Sequence, residues 1–303
     1  MVLRPLLLFI LFLLPTAANA QLAIDRLWVD MDDGRTSRAD LVVRNESPDV
    51  YYVTVTASEI VAPGTVEEER KVLTDPEALG LLVTPNRIVL RPEEMRAIRI
   101  VSLNRDLATD RIYRVNVTPQ IGELSLADES AENRGIALKL LAAFDVLVTV
   151  RPEDSASSLS AQRLGNTLRL SNEGNTNLLL LQGSVCPASG AALSDETRAH
   201  YLAQMAVPDE SVAEEAAQDG PVELAIDEDG CTKIPGRRMY PGNTWDIVAA
   251  VGEHVRFQSR RRASENFREL IVRCESASPN EPNSDFCRSA RVEADAGAAM
   301  ILP

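Results

Sequence analysis

Alternating apolar positions mark one stretch of this chain more clearly than any other. Residues 135–152 read GIALKLLAAFDVLVTVRP, and every even position from Ile136 to Val150 carries an apolar side chain. This period of two predicts a β-strand with one continuous apolar face. A strand of this length, at ~3.3 Å per residue, would span ~60 Å, several times the usual length. We therefore predict that part of its edge or face is reserved for another chain.

Shorter β-rich runs lie on both sides of this stretch, separated by turns rich in Asn, Ser, Pro and Gly. The runs before it cover residues 39–44, 51–57, 87–90, 97–103 and 112–118, and those after it cover residues 167–170, 177–182, 239–240, 245–250 and 255–258. Strands at this spacing, without helical periodicity between them, indicate antiparallel sandwiches. The sequence predicts an all-β chain of two sandwich domains, residues 21–152 and residues 153–303.

Two segments interrupt the pattern in the second half. Residues 187–230 form an acidic insertion with eleven Asp or Glu and a single Arg198. Within it, residues 196–206 could form a surface helix or a polar loop, and the sequence leaves both open. The tail, residues 259–303, begins with three arginines at 260–262, for which a solvated charge cluster is the better interpretation.

The first twenty residues have the three regions of a secretory signal peptide. Arg4 precedes the apolar core at residues 6–14, and a small-residue end closes the segment at Ala20. We expect cleavage between Ala20 and Gln21, because the core is too short for a membrane span. The prediction is an exported chain without membrane insertion after the leader is removed.

The net charge and the absence of catalytic motifs from the sequence argue against two classes of function, nucleic-acid binding and catalysis. The formal net charge is −14, and removal of the leader with its one cation makes it more negative. Nucleic-acid binding is therefore not expected, since it requires clustered cations. With two histidines and no GxSxG, HExxH or P-loop motif, the chain is predicted to be no enzyme and to need no cofactor or metal.

Four cysteines remain in a chain predicted to enter an oxidising compartment. Three pairings are possible, and sequence order favours Cys186 with Cys231 and Cys274 with Cys287, each bracketing a polar segment. A zinc site is the disfavoured alternative, because the chain has no CxxC pair.

The order of several motifs resembles the periplasmic pilus-assembly chaperones of the chaperone/usher pathway, most closely their archaic or alternative branch. The matching segments are TPNRIVLRPE at 84–93, RAIRI at 96–100, YRVNV at 113–117, the Arg151-Pro152 pair, NEGNTN at 172–177 and PGRRMYPG at 235–242. The resemblance implies two immunoglobulin-like domains in an L, a periplasmic location, and fimbrial subunits and an outer-membrane usher as partners.

In that family the long strand completes an unfinished subunit sandwich, a form of β-augmentation called donor-strand complementation. Ile136, Leu138, Leu140 and Ala142 are the candidate donor side chains, since they share one face. The alternative, that they fill their own core, has most weight for Leu140 and Ala142. An exposed apolar edge also invites self-association unless a partner covers it.

Many members of the family hold the subunit's terminal carboxylate between an Arg on the first strand and a Lys on the long strand. The corresponding positions here fall near residues 27–29 and at about Leu147, and neither is basic. Arg87 is the substitute we predict, with Arg26 and Lys139 behind it. A plain surface charge is the alternative for Arg87.

Arg151, at the junction of the two predicted domains, is expected from the resemblance to join them through an ionic bridge, with Asp110 as a conceivable acidic partner. The rival function is a secreted adhesion or envelope-interaction module of the same fold, which would bind through loops rather than through a strand edge.

Overall fold

A computed structural model describes residues 22–32, 37–121, 141–188, 190–205, 224–274 and 289–291. Nearly all regular structure in these ranges is β-strand. None of the helices within them is long and apolar enough to cross a membrane.

In its described residues, the first sandwich contains ten strands and one short helix. These are β1 (Leu22–Ile24), β2 (Trp28–Asp32), β3 (Arg38–Asn45), β4 (Tyr51–Val61), β5 (Glu69–Lys71), α1 (Pro76–Leu79), β6 (Leu81–Thr84), β7 (Arg87–Leu90), β8 (Met95–Ser102), β9 (Arg111–Ile121) and β10 (Phe144–Arg151). One sheet has the order β1-β3-β8-β6, and the other has the order β2-β10-β9-β4-β5, with β7 also paired to β4.

The part of the second sandwich that the structure describes contains nine strands and one helix. These are β11 (Leu159–Leu164), β12 (Thr167–Asn172), β13 (Leu178–Cys186), α2 (Asp195–Met205), β14 (Thr232–Ile234), β15 (Arg237–Met239), β16 (Thr244–Val248), β17 (His254–Arg260), β18 (Arg268–Arg273) and β19 (Ser289–Arg291). Its sheets have the orders β11-β12-β16 and β14-β13-β17-β18-β19, with β15 also paired to β13. The predicted all-β fold of two sandwiches is confirmed.

Each sandwich has its own core, formed by the inward positions of its alternating strands. In the first, Val146, Val148 and Val150 of β10 are fully buried against strands of both sheets. In the second, Leu168, Leu170 and the strands facing them form a separate core. The alternation in the sequence therefore marks which side chains are buried, as the period of two predicts.

Two sequence-based expectations differ from the structure, and one open alternative is decided by it. The long strand does not run unbroken from residue 135, since β10 begins at Phe144 and residues 141–143 belong to no strand. The polar segment at 196–206, for which the sequence leaves a helix and a loop open, is helical as far as Met205, the end of α2. The tail does not begin at residue 259, because β17 ends at Arg260 and β18 follows as a central strand between β17 and β19.

Candidate functional site

Strand β10 is paired on one side along its length and on the other side only in part. Antiparallel pairing with β9 runs from Phe144 opposite Val117 to Val150 opposite Arg111. Parallel pairing with β2 starts only at Leu147, opposite Trp28. Among the described residues, no strand pairs with the β2 side of residues 144–146. The edge of β10 is therefore half covered, and an added strand would lie in line with β2.

The residues just before β10 are accessible. Leu141 has 40% of its surface exposed, and Ala142, the last of the four candidate donor residues, is exposed as well. Residues 141–143 have left the ladder with β9, so neither neighbour holds them as a strand. The other three candidates, Ile136, Leu138 and Leu140, lie outside the described residues.

The opposite edge of the same sheet is built differently. Its outermost strand β5 has the sequence Glu-Arg-Lys, and all three residues are exposed. Charged side chains on a short edge strand discourage pairing with another chain. Strand β7 forms the rest of that edge beside β4 and is not charged in this way. The charged β5 is therefore less suited than the open part of β10 to receive a strand.

Arg151, at the end of β10, joins the two sandwiches. Its side chain is fully buried, and its guanidinium lies 2.8 Å from the Asp30 carboxylate and 3.7 Å from that of Asp110. It also donates to the hydroxyl of Thr176 and, at 2.6 Å, to the carbonyl of Arg261 in the second sandwich. Asp30 is thus the nearer acidic partner of Arg151, whereas the sequence analysis names only Asp110.

Asp110 itself reaches across the junction. Its carboxylate accepts hydrogen bonds from the Asn177 backbone N–H at 2.7 Å and from the Asn177 amide at 2.5 Å. Burial raises the pKa of Asp110, while the positive charge of Arg151 and the bonds from Asn177 oppose that rise. One carboxyl oxygen, Oδ1, is buried without a hydrogen-bond partner.

The turn between β17 and β18 contacts the first sandwich. Arg262 forms an ion pair with Asp32 at 2.5 Å, and the backbone N–H of Ala263 donates to Asp30 at 2.8 Å. The interpretation of residues 260–262 as a solvated charge cluster is therefore wrong, since this turn is part of the domain junction.

A second junction forms where the turn after β4 meets the second sandwich. The side-chain amide of Asn243 donates to the carbonyl of Pro63 at 3.2 Å. Gly64 has a φ of +74°, and a Cβ placed on it would lie 2.8 Å from the Asn243 side-chain oxygen. Glycine is needed here for both its backbone conformation and its lack of a side chain. The junction at Arg151 and the contact between Pro63 and Asn243 therefore bound the space between the two sandwiches, which we call the cleft.

The floor of the cleft includes the two positions where the family would place its carboxylate-binding residues. Leu147 and Trp28 are direct partners in the β10–β2 ladder. With Ile60, Ile112 and Tyr240 they form a small apolar cluster between the sandwiches. The domain-one floor is therefore apolar where the family places cations.

A cation from the second sandwich covers this floor instead. The Arg238 guanidinium carbon lies 4.0 Å from the centre of the Trp28 ring, and that of Arg260 lies 5.0 Å away. Arg238 donates to the Asn177 side-chain oxygen at 2.6 Å and forms no ion pair with a carboxylate of the described residues. Burial lowers the pKa of Arg238 to about 10. Arg238 is half-buried, and the Asp30 carboxylate acts on it electrostatically without forming an ion pair. A half-buried cation that no carboxylate bonds directly is suited to bind one from a partner.

The predicted anchor residues are not in this position. Arg87 lies on β7, three strands from β10, roughly 14 Å across the sheet and about 13 Å along it from Leu147. Its side chain is too short to reach the cleft. Arg26 is about half exposed and forms an ion pair with Asp25 at 2.7 Å, and Lys139 lies outside the described residues.

The acidic insertion is fastened to the second sandwich at both ends of its described part. A disulfide joins Cys186 and Cys231, which confirms one predicted pairing. Buried Glu253 accepts hydrogen bonds from the Ser194 N–H at 2.7 Å and the Thr197 hydroxyl at 2.6 Å, at the start of α2. Cys274 is also disulfide-bonded, and its predicted partner, residue 287, lies outside the described residues.

Some known proteins are similar to this chain in sequence. No family model matches the chain. A CS1 fimbrial protein of Escherichia coli, named as a subunit of those fimbriae, is 24% identical over 234 residues, which cover 76% of this chain and 95% of that protein. A CFA/I fimbrial protein of Escherichia coli, named in the same way, is 25% identical over 156 residues, covering 50% of this chain and 63% of that protein.

Among solved structures, the class 5 fimbriae chaperone CfaA superposes with a TM-score of 0.53 at 18% identity, covering 82% of this chain and 97% of that chain. The chain has the fold of the chaperone-usher fimbrial chaperones. The YadV chaperone gives a TM-score of 0.50 at 11% identity over 84% of this chain and all of that one. The resemblance inferred from the motifs is confirmed at the level of this fimbrial-chaperone fold.

The roles of Arg238 and Trp28 in the cleft are not predicted from the sequence. Arg238 lies inside the motif PGRRMYPG, which contributes only to the resemblance, and nothing local distinguishes it from its exposed neighbour Arg237. Trp28 enters only as one of several non-basic residues at the family's Arg position. Their contact depends on how the two sandwiches meet.

Proposed function

We propose that this chain is a non-catalytic periplasmic chaperone that captures fimbrial subunits on strand β10 and delivers them to an outer-membrane usher. The half-covered edge of β10 carries the proposal, because residues 144–146 are paired with β9 on one side and open on the other. The fimbrial-chaperone fold and the two fimbrial proteins similar in sequence support the same function.

In this proposal the captured protein adds a strand in line with β2. Backbone hydrogen bonds along the open edge would provide affinity that tolerates different sequences. Ile136, Leu138, Leu140 and Ala142 would enter the unfinished core of the captured protein. Each large apolar side chain buried in this way contributes about 1.5–3 kcal/mol before the cost of ordering the two chains.

The end of the added strand would meet the cleft floor at Trp28. We propose that Arg238, rather than Arg87, Arg26 or Lys139, receives the subunit's terminal carboxylate. The support is its partial burial, its stacking on Trp28 and the absence of an ion pair between it and any carboxylate of the described residues. A charge-assisted hydrogen bond to such a cation contributes about 1.5–3 kcal/mol.

The rival function, a secreted adhesion or envelope-interaction module, would use loops and would not need an open strand edge. A charged edge like that of β5 would suit such a module on both sides of the sheet. The similarity to the CS1 fimbrial protein along 95% of its length also favours a role in fimbria assembly over an unrelated module.

Co-expression with the small secreted proteins encoded nearby, followed by pull-down of the tagged chain, tests the proposal. We expect at least one of them to co-purify, and Leu138→Asp to abolish that co-purification. Leu164→Asp is the control, because Leu164 is 39% exposed on an edge strand of the second sandwich. Normal co-purification with Leu138→Asp, or equal loss with both variants, would contradict strand donation.

A further inference from the structure

Three charged side chains meet beside the open part of the β10 edge. Asp145, in the half-covered stretch, forms an ion pair with Arg70 of β5, whose side chain extends to it over the neighbouring strands. Arg114 of β9 approaches the same carboxylate at 3.8 Å and donates to the backbone carbonyl of Asp145 at 3.3 Å. Two cations therefore share one anion.

This cluster is accessible and has a surplus of positive charge. The side chains of Arg70, Arg114 and Asp145 are 52%, 34% and 33% exposed. The neighbouring outward positions on β4 and β9, Thr56 and Asn116, are uncharged. A cationic surplus is unusual in a chain with a net charge of −14, and it lies next to the edge that would receive a partner.

The second sandwich shows how charges on an ordinary exposed face are arranged. Arg169 of β12 pairs with Asp246 of β16 through two hydrogen bonds of 2.7 Å each. These side chains are 41% and 48% exposed, comparable with Arg70 and Asp145. In that pair one cation faces one anion, whereas the cluster on the β10 side has two cations for one anion.

We propose that Arg70 and Arg114 form a receiving site for an acidic side chain of the captured subunit, and that Asp145 occupies this site while the chain is empty. The proposal rests on the proposed function and adds a second, distinct position to the Arg238 site. A carboxylate of the captured protein would compete with Asp145 for the two guanidinium groups, since one carboxylate does not neutralise both.

Such a built-in competitor would have two effects. It lowers the cost of leaving two arginines close together in the empty chain, because like charges repel. It also weakens the hold on the captured protein, because Asp145 is present to replace the incoming carboxylate on release. Removal of Asp145 should therefore tighten capture, although it breaks an ion pair in the free chain.

A small anion tests the site without any captured protein. Sodium acetate would be titrated into the full chain while the arginine side-chain N–H signals are followed by NMR. We expect Asp145→Asn to bind acetate about threefold to tenfold more tightly than the unchanged chain, with shifts at Arg70 and Arg114. Asp246→Asn is the matched control, because it leaves the single cation Arg169, and it should show no such gain. Equal acetate binding by Asp145→Asn and the unchanged chain would overturn the proposal.

The co-purifying subunit then tests the site in the complex. We expect Arg70→Gln to weaken capture about threefold to tenfold and to reduce its salt dependence, and Asp145→Asn to tighten capture by a similar factor. Arg169→Gln, which breaks the balanced pair with Asp246, should change neither. Unchanged affinity in both Arg70→Gln and Asp145→Asn, or weaker capture by Asp145→Asn, would overturn the proposal.

The source of the carboxylate is separated by changing the captured protein. Neutralisation of acidic side chains in its last strand should remove the gain seen with Asp145→Asn, and persistence of the gain would overturn the site. Extension of its C-terminus by two glycines, which displaces the terminal carboxylate assigned to Arg238, should leave the gain intact. Failure of the unchanged chain to capture any fimbrial protein would refute the proposed function, and the acetate titration would still decide the site.

Discussion

Replacement of Arg151 by methionine is the sharpest test of the domain junction. Met preserves much of the side-chain volume but removes the charge from a fully buried position. Four partners lose their contact: Asp30 at 2.8 Å, Asp110 at 3.7 Å, the Thr176 hydroxyl and the Arg261 carbonyl at 2.6 Å. Removal of one member of a buried ion pair typically costs about 3–5 kcal/mol, and we expect the free energy of unfolding to fall by that amount.

The pH dependence of this loss follows from Asp110. Burial already raises its pKa, and the charge of Arg151 opposes the rise, so Arg151→Met should raise it further. A group whose folded pKa is raised stabilises the fold at low pH and loses that contribution as pH rises through the folded value. The cost of Arg151→Met should therefore be largest near pH 8 and smaller near pH 5.

Urea unfolding followed by tryptophan fluorescence provides the assay, since Trp28 lies at the junction and Trp245 packs in the second sandwich. The control is Arg169→Gln, which breaks an exposed pair with Asp246 and should cost less than about 1 kcal/mol. A loss below about 1 kcal/mol for Arg151→Met, or a loss that grows as the pH falls, would refute the reasoning.

Three further predictions concern single positions. Gly64→Ala should lower the free energy of unfolding by about 1–2 kcal/mol, because the new Cβ meets Asn243. The control Gly165→Ala, with a φ of +61° and open space around it, should lower it by about 1 kcal/mol or less in the same denaturation assay. Burial and nearby arginines lower the pKa of His254 to about 4, so stability should fall as the pH drops from about 6.5 to about 4, and His254→Gln should flatten that part of a stability profile. An unflattened profile would exclude His254 as the cause. Arg238→Gln should change unfolding free energy by less than about 1 kcal/mol yet weaken subunit capture about tenfold in a binding titration, and unaltered capture would exclude Arg238 as the carboxylate site.

Strand positions were predictable because burial imposes the alternation that a sequence displays. The runs at 167–170 and 255–258 correspond to strands β12 and β17, whose alternate residues enter the second core. The fold class follows from such runs and their turns. Segments without an apolar face, such as α2, gave no equally clear signal, because a short, mostly polar helix and a polar loop have similar compositions.

The covering of β10 was not predictable in the same way. Alternation tells which face of a strand is buried, but it does not identify the neighbour on either edge. That neighbour depends on β2, which pairs in one sheet while β1, three residues earlier, pairs in the other. Contacts across the junction, such as Arg262 with Asp32, join residues 230 positions apart and leave no local pattern.

The start of β2 at Trp28 has a consequence for any strand that joins β10. Strand β2 already pairs with β10 from Leu147 onward, so an added strand can pair with β10 only up to Val146. Its register would then be fixed by a physical stop rather than by matching side chains, and a one-residue slip would turn its apolar face outward. Captured proteins with quite different sequences could therefore pair with β10 in the same register, provided that their final strands have the same length.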